Sequence, residues 1–298
     1  IEGGIYSRER EFVSRIEVNA GRKKKITINK VPAKAASELS GVLGTVFFSP
    51  EDLYLIKEGA AARRRFMDTS LAQLRPRYAE ALNEYNRLWE HKTRILRDSD
   101  EYPDLLKTLP DFDLRMAQTG AVVIYYRARF ARLLTQYAAA SHAECSGGRE
   151  RLTVQYRTVS TVTDPFADHE TLLSQLLEHQ RSHADAEKAV RQCLSGPHKD
   201  DLEVELDGLS AKSYASQGQT RTAALSLKLA AREIHKDIIG EYPVLLLDDV
   251  LSELDPKRQE FVLNRLGSGQ VFITCCEDDR LPQLLGGKVL HIKDGALR

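Results

Sequence analysis

Pro243-Val244-Leu245-Leu246-Leu247-Asp248-Asp249-Val250-Leu251-Ser252-Glu253-Leu254-Asp255 is the stretch on which the fold turns. An apolar run ending in two adjacent carboxylates reads as a buried strand that delivers charge to its carboxyl end. In open α/β sheets ligands gather at that edge. Taken alone, the same pattern also fits a core strand followed by an acidic turn. The upstream stretch Ser216-Gln217-Gly218-Gln219 sharpens the reading, because it opens a long apolar helix. A polar, glycine-containing loop at a helix start is a natural anion site, since backbone N–H groups and the helix dipole both favour phosphate. In this order the two stretches indicate nucleotide chemistry.

The 298 residues, 42% of them hydrophobic, suffice for a large core. They predict two domains, or one domain with a sizeable insertion. The 43 basic and 43 acidic residues cancel, so composition gives no global sign for a polyanionic partner. The distribution is uneven: residues 1–97 hold 19 basic and 12 acidic side chains, against 24 and 31 beyond them. A basic first part is compatible with a polyanion surface or with an ordinary solvated one. Four cysteines without a CxxC spacing give neither a metal nor a disulfide framework, so reduced thiols in a cytoplasmic protein are expected. No apolar run approaches the roughly 20 residues of a membrane span, and the start has no signal-peptide pattern. The first residue is Ile1, and Glu2-Gly3-Gly4 reads like the middle of a protein.

Residues 11–19 and 25–29 alternate like the arms of a hairpin, with Ala20-Gly21-Arg22 as the turn and Lys23, Lys24 and Lys25 crowding its end. Residues 41–48 predict another core strand. Ser49-Pro50-Glu51-Asp52 then carries the marks of a helix start. Gly59 interrupts before Arg63-Arg64-Arg65-Phe66-Met67-Asp68. A helix spreads three consecutive arginines by about 100° per residue, so one should pair inward while another reaches outward. Helical periodicity from 68 to 97, a proline-containing loop and a second helix over 111–140 predict an antiparallel helical pair. Trp89 and the neighbouring tyrosines read as packing residues. A strand over 152–158 and a helix over 168–192 follow. His179 and His183 lie one turn apart there, without the glutamate or third ligand of a zinc helix, and read as packing histidines. A strand at 202–206, a turn at Asp207-Gly208, a last core strand at 270–275 and a terminal hairpin around Asp294-Gly295 complete the pattern.

Ser216-Gln217-Gly218-Gln219, a helix, and then the strand ending in Asp248-Asp249 with Ser252 and Asp255 resemble the signature motif, Walker B strand and D-loop of ABC-type ATPases. Three further stretches resemble the bacterial RecF family of DNA replication and repair proteins, relatives of the SMC proteins. They are Phe48-Ser49-Pro50-Glu51-Asp52-Leu53, Glu58-Gly59 with Arg63-Arg64-Arg65-Phe66-Met67-Asp68, and Gly196-Pro197-His198-Lys199-Asp200-Asp201. The resemblance covers about residues 40 to 298. It implies an α/β chain: an ABC-type, SMC-like ATPase head with the P-loop NTPase fold and a mainly helical arm or lid insertion. Residues 1–67 would be the first part of the ATPase core, 68–192 the arm or lid, and 193–298 the second part of the core.

The resemblance also implies roles. Asp248 would hold Mg²⁺ largely through water. Asp249 would orient the attacking water where many relatives carry a glutamate, and its shorter side chain predicts slow hydrolysis. Ser216, Gln217, Gly218 and Gln219 would meet the γ-phosphate of ATP bound on an opposite subunit, with Ser252 and Asp255 at that homodimer interface. DNA, double-stranded or at a single-strand/double-strand junction, and the RecO and RecR mediator proteins would be the partners. Lys23, Lys24, Lys25, Arg63, Arg64 and Arg65 are the candidate DNA contacts.

The sequence also departs from the family pattern. No clear Q-loop glutamine stands near residues 46–51, Thr274-Cys275-Cys276-Glu277 occupies the place of the switch histidine, and Ala60 replaces a common proline. No G-x-x-x-x-G-K-[ST] occurs in the 298 residues, since Gly286-Gly287-Lys288-Val289 lacks both spacing and hydroxyl. The expectation is a chain lacking the lobe that carries this loop, inactive as an ATPase by itself and with apolar core surface exposed. The competing reading is a structural or interaction protein that keeps the signature helix without binding ATP. An ABC transporter subunit is disfavoured by the long charged insertion.

Overall fold

In the described part of the chain, two-residue turns with both central residues at positive φ set the antiparallel regions: Arg8-Glu9, Asn29-Lys30, Asp207-Gly208 and Asp294-Gly295. This turn matches the right-handed twist of paired strands. The computed structural model describes all residues except 23, 34–36, 250–253, 276–286 and 298, and does not describe the side chains of residues 37 and 53. Strands β1 (Glu2–Ser7), β2 (Arg10–Glu17), β3 (Lys25–Ile28) and β4 (Val31–Pro32) form an antiparallel sheet in sequence order. The predicted β2–β3 hairpin is present, with Arg15 opposite Thr27. Strand β1 escaped the sequence reading because Gly3-Gly4 has little strand preference of its own. Its pairing with β2, Gly4 opposite Val13, settles its conformation.

Helix α1 (Ser37–Ser40) leads to β5 (Thr45–Phe48), followed by a 3₁₀ turn (Pro50–Leu53) and α2 (Tyr54–Lys57). Next come α3 (Ala60–Leu74), α4 (Pro76–Asp98), a 3₁₀ turn (Pro103–Thr108), α5 (Leu109–Ser146), β6 (Leu152–Arg157) and α6 (His169–Val190). Then follow β7 (Asp201–Leu206), β8 (Leu209–Ser210), α7 (Ala211–Tyr214), α8 (Gln217–Ile239), β9 (Val244–Asp248), α9 (Pro256–Asn264), β10 (Val271–Thr274) and the hairpin β11 (Ile292–Lys293) and β12 (Ala296–Leu297).

The continuous helix expected over 68–97 is in fact two. Arg75 is extended at φ −141°, as a residue before proline prefers, and Pro76 opens α4. The division expected between residues 67 and 68 therefore falls inside α3. Nor is α5 confined to an arm. Its last turns lie along α8, and Leu134 and Ala138 are buried in the same core as the sheet.

At the centre, β5, β9 and β10 are parallel in the order β10-β9-β5, with Phe48 opposite Leu247 and Thr274 opposite Asp248. Val46, Phe48, Leu245 and Leu247 point to one face and share a core with Ala223, Ala224, Leu227 and Ala230 of α8. These small residues let the helix approach the sheet closely, as their spacing predicts. On the other face Phe47 and Phe272 flank Leu246 and are 49% and 51% exposed. That row is apolar core surface of the exposed kind expected from the sequence.

Candidate functional site

Asp248 ends β9 with its side chain exposed at the carboxyl edge of the parallel sheet. The hydroxyl of Thr274, at the matching position of β10, donates to Asp248 Oδ1 at 2.6 Å. The same Oγ1 accepts from the backbone N–H of Asp249 at 3.1 Å, as does the Thr274 carbonyl. Asp249 adopts φ +50°, a left-handed conformation that aspartate tolerates better than most residues. One threonine thus fixes both the first carboxylate and the backbone of the second. The sequence noted Thr274 only as standing where a histidine was expected; its role depends on strand register, which the sequence does not display.

Among the described residues no group of three His, Cys, Asp or Glu side chains converges as a metal cage. An exposed carboxylate oriented by a hydroxyl suits Mg²⁺, which keeps most of its waters and needs few protein oxygens.

Ser216 caps α8, accepting from Gln219 N–H at 3.3 Å, and the Gln219 side chain accepts from Ser216 N–H at 2.8 Å. This reciprocal capping box satisfies two helix-start donors and fixes the first turn. Ser216 and Gln217 remain exposed, whereas Gln219 turns inward and donates to Glu150 at 3.1 Å. Glu150 in turn meets the buried ring of His142 at 2.9 Å. Burial, the largest influence, holds the His142 pKa below its usual value against the raising effect of Glu150.

Asp255 caps α9, its Oδ1 accepting from the N–H groups of Lys257 and Arg258 at 3.1 Å each. Burial raises its pKa, but hydrogen bonds from the Arg258 backbone and guanidinium outweigh this and hold the carboxyl below its ordinary value. Arg258 also donates to Thr222 Oγ1 at 2.6 Å, and its guanidinium lies over Gly218. Ser252 lies outside the described residues.

The arginine cluster divides as helical geometry requires. Arg63 is 5% exposed and forms a bidentate pair with Asp201 at 2.6 and 2.9 Å. This corrects its place among the candidate DNA contacts, because a buried guanidinium committed to a carboxylate cannot also reach a phosphate. Arg64 is half-buried and donates to the Asp200 carbonyl at 2.7 Å, while Arg65 is exposed. Lys24 and Lys25 are exposed beside the β2–β3 turn, and Lys23 lies outside the described residues.

The 63–68 and 196–201 stretches lock together through Arg127, which the sequence did not single out. Its guanidinium binds Asp68 at 2.8 and 3.0 Å, buried Asp200 at 2.9 Å and the Pro197 carbonyl at 2.7 Å. A second buried cation, Lys92, joins Asp113 and Glu187 at 2.6 and 2.5 Å, tying α4, α5 and α6. His179 and His183 stack at 3.9 Å, and His179 Nδ1 bonds Ser195 at 2.7 Å. Among the described residues no helix is long and apolar enough to cross a membrane.

A parallel sheet edge bearing paired aspartates, a capped helix ahead of it and an aspartate-capped helix behind it define an ABC-type ATPase head. No family model matches the chain. It is 39% identical over 293 residues to the "DNA replication and repair protein RecF" of Agathobacter rectalis, covering 98% of this chain and 78% of that one. The RecF of Acetivibrio thermocellus is 38% identical over 278 residues, covering 93% and 75%. A solved structure of "the recombination mediator protein RecF-ATPrS in RecFOR pathway" superposes with a TM-score of 0.89 at 30% identity, over 99% of this chain and 78% of that one. The chain belongs to the RecF family.

Proposed function

We propose that the chain serves recombinational repair and replication restart as an ATP-dependent DNA-binding protein, in which ATP joins two heads and slow hydrolysis releases them. The observation that carries this reading is Asp248 and Asp249 at the carboxyl edge of the sheet, both fixed by Thr274. A purely structural strand end has no need of two acids held so close to solvent. Bound ATP with Mg²⁺ would supply the phosphates and the cation. Asp248 would hold the metal, and Asp249 would orient water. The exposed Ser216-Gln217 turn, with Gly218, would face a phosphate on a second subunit, and Asp255 would stand beside that interface. Gln219, committed to the capping box and Glu150, would shape the loop rather than touch the phosphate. Arg64, Arg65, Lys24 and Lys25 would meet the DNA backbone, and RecO and RecR would receive the DNA-bound complex.

The test is affinity for duplex and junction oligonucleotides across salt. Each neutralised phosphate contributes a log–log slope of about −0.9, so several contacts produce a steep fall between about 50 and 200 mM. A flat response sinks the DNA reading. In a form of the protein spanning the full length of its relatives, Asp249→Asn should keep ATP binding and prolong ATP-dependent dimers in sedimentation. Loss of ATP binding in that variant would exchange the roles of the two aspartates. Absence of any nucleotide response in the parent protein would favour the non-catalytic interaction reading.

A further inference from the structure

A cavity of about 210 Å³ opens between α3, α4, α5 and the 196–201 turn. Tyr85, Asn86 and Trp89 line it from one face of α4, together with Arg64, Asp68 and His198. Its volume lies below the roughly 300–1,000 Å³ of pockets that enclose drug-sized ligands, so it suits a single small group. One wall is aromatic: Trp89 and His198 rings are 5.5 Å apart, and Tyr85 stacks on the same imidazole at 6.1 Å. The polar groups are mixed. Asp68 offers an acceptor, Arg64 donors, and the exposed Asn86 amide both. Arg127 already bridges Asp68 and Asp200, which makes the floor a neutralised network rather than an anion nest. Donors and acceptors of both kinds beside an aromatic wall match the edge and face of a heteroaromatic ring better than a bare phosphate.

Arg64 lines the cavity, and Lys199 follows His198 of its wall in the chain. Among the described residues Arg64 has no carboxylate partner, and Lys199, next to His198, is exposed. We propose that this cavity receives one unpaired nucleobase of a DNA strand, its ring against Trp89, its exocyclic groups at Asp68 and Asn86, and its phosphate at Arg64 and Lys199. A base inside a duplex cannot enter, since both faces are stacked and its edge is paired. The cavity would therefore discriminate a single-strand/double-strand junction from blunt duplex. This inference rests on the DNA-binding reading above and deepens it.

Trp89 is the only tryptophan in the 298 residues, so its fluorescence reports directly on the cavity. The chain is titrated with a duplex carrying a single-stranded tail, the same duplex with an abasic tail, a blunt duplex and a nucleoside monophosphate. Anisotropy of a labelled strand measures overall binding in parallel. The intact tail should quench Trp89 and bind about tenfold more tightly than the abasic tail, the size of loss expected from one base–aromatic stack. Asn86→Leu, a change at an exposed position that leaves the Trp89 stack in place, should narrow the difference between the two tails without abolishing the quenching. Equal quenching and affinity for intact and abasic tails, with anisotropy showing binding, overturns the cavity and leaves the DNA reading standing. No anisotropy change with any DNA overturns both. Quenching by the monophosphate at concentrations as low as those of the tailed duplex also overturns the proposal, because the base would then need no strand to carry it.

Discussion

Arg258 donates to Thr222 across 2.6 Å, so α9 is hydrogen-bonded to the first turns of α8. The same guanidinium pairs with Asp255, and Thr222 Oγ1 in turn donates to the Gly218 carbonyl at 2.9 Å. Asp255, Arg258, Thr222 and Gly218 form one chain of contacts. In the proposed dimer, displacement of Asp255 by a second subunit would reach Gly218 through this chain.

A double-mutant cycle measures that link. Arg258→Ala and Thr222→Val should each destabilise the chain in urea unfolding, and their effects should fail to add by roughly 0.5–3 kcal/mol, as for residues in direct contact. Strict additivity would show that the two residues are energetically independent. Asp255→Ala, which removes the cap of α9, should cost about 0.5–2 kcal/mol by the same measurement.

Gly196 is required for two separate reasons. Its φ is +126°, and a Cβ would lie 2.3 Å from the Tyr85 hydroxyl, which is itself bonded to His198. Gly208 has φ +79° and nothing within 4 Å of its absent Cβ. Gly208→Ala should therefore cost only the backbone strain of about 1 kcal/mol, whereas Gly196→Ala should exceed it by about 2 kcal/mol or more. Equal midpoint shifts in urea would mean that the Tyr85 contact relaxes freely.

His198 makes stability depend on pH. Burial, helped by the charges of Lys199, Arg64 and Lys92, pushes its pKa down from 6.5 to about 4, against the raising effect of the Cys193 carbonyl. Tyr85 bonds Nδ1 at 2.6 Å and the Cys193 carbonyl lies 3.0 Å from Nε2, an arrangement that suits a neutral ring with its proton on Nε2. The unfolded chain takes up a proton near pH 6.5, before the folded chain does. This contribution is present in full above that pH and is lost as pH falls toward 4, by at most about 3 kcal/mol. His142, His179 and His235, also lowered mainly by burial, act in the same direction. His198→Asn should flatten the loss of stability between pH 6.5 and 4 in equilibrium unfolding. An unchanged slope would remove His198 as a cause.

The parts of this molecule legible in the sequence are those set by neighbours in the chain. Asp207-Gly208 and Asp294-Gly295 announce their turns, but Arg8-Glu9 and Asn29-Lys30 adopt the same conformation without a glycine and are held by their strands. The Ser216 capping box spans four residues and is visible as a pattern. Thr274 beside Asp248, Arg127 between Asp68 and Asp200, and Lys92 against Glu187 join residues 26 to 95 positions apart. Such pairs depend on strand register and helix rotation, which composition and periodicity do not fix. The three arginines show the boundary well. Helical geometry required one to turn inward, but only the position of Asp201 decided that it is Arg63.

The exposed row Phe47, Leu246 and Phe272 makes a prediction about association. Parallel sheets are ordinarily covered on both faces, and a contiguous apolar strip open to water favours contact with another surface. Phe47 and Phe272 stand on either side of Leu246 across three hydrogen-bonded strands, so the strip runs the width of the sheet. The chain should bind a hydrophobic dye and self-associate with rising concentration in sedimentation. Replacing both phenylalanines by lysine should suppress dye binding and association, while the opposite face, with Val46, Phe48, Leu245 and Leu247, remains packed on α8. The cost should stay small, because burial is worth about 25 cal/mol per Å² and these rings are only half-covered. If the double variant loses cooperative unfolding, the two rings contribute to the folded core. If it folds but still associates, contact occurs through another surface.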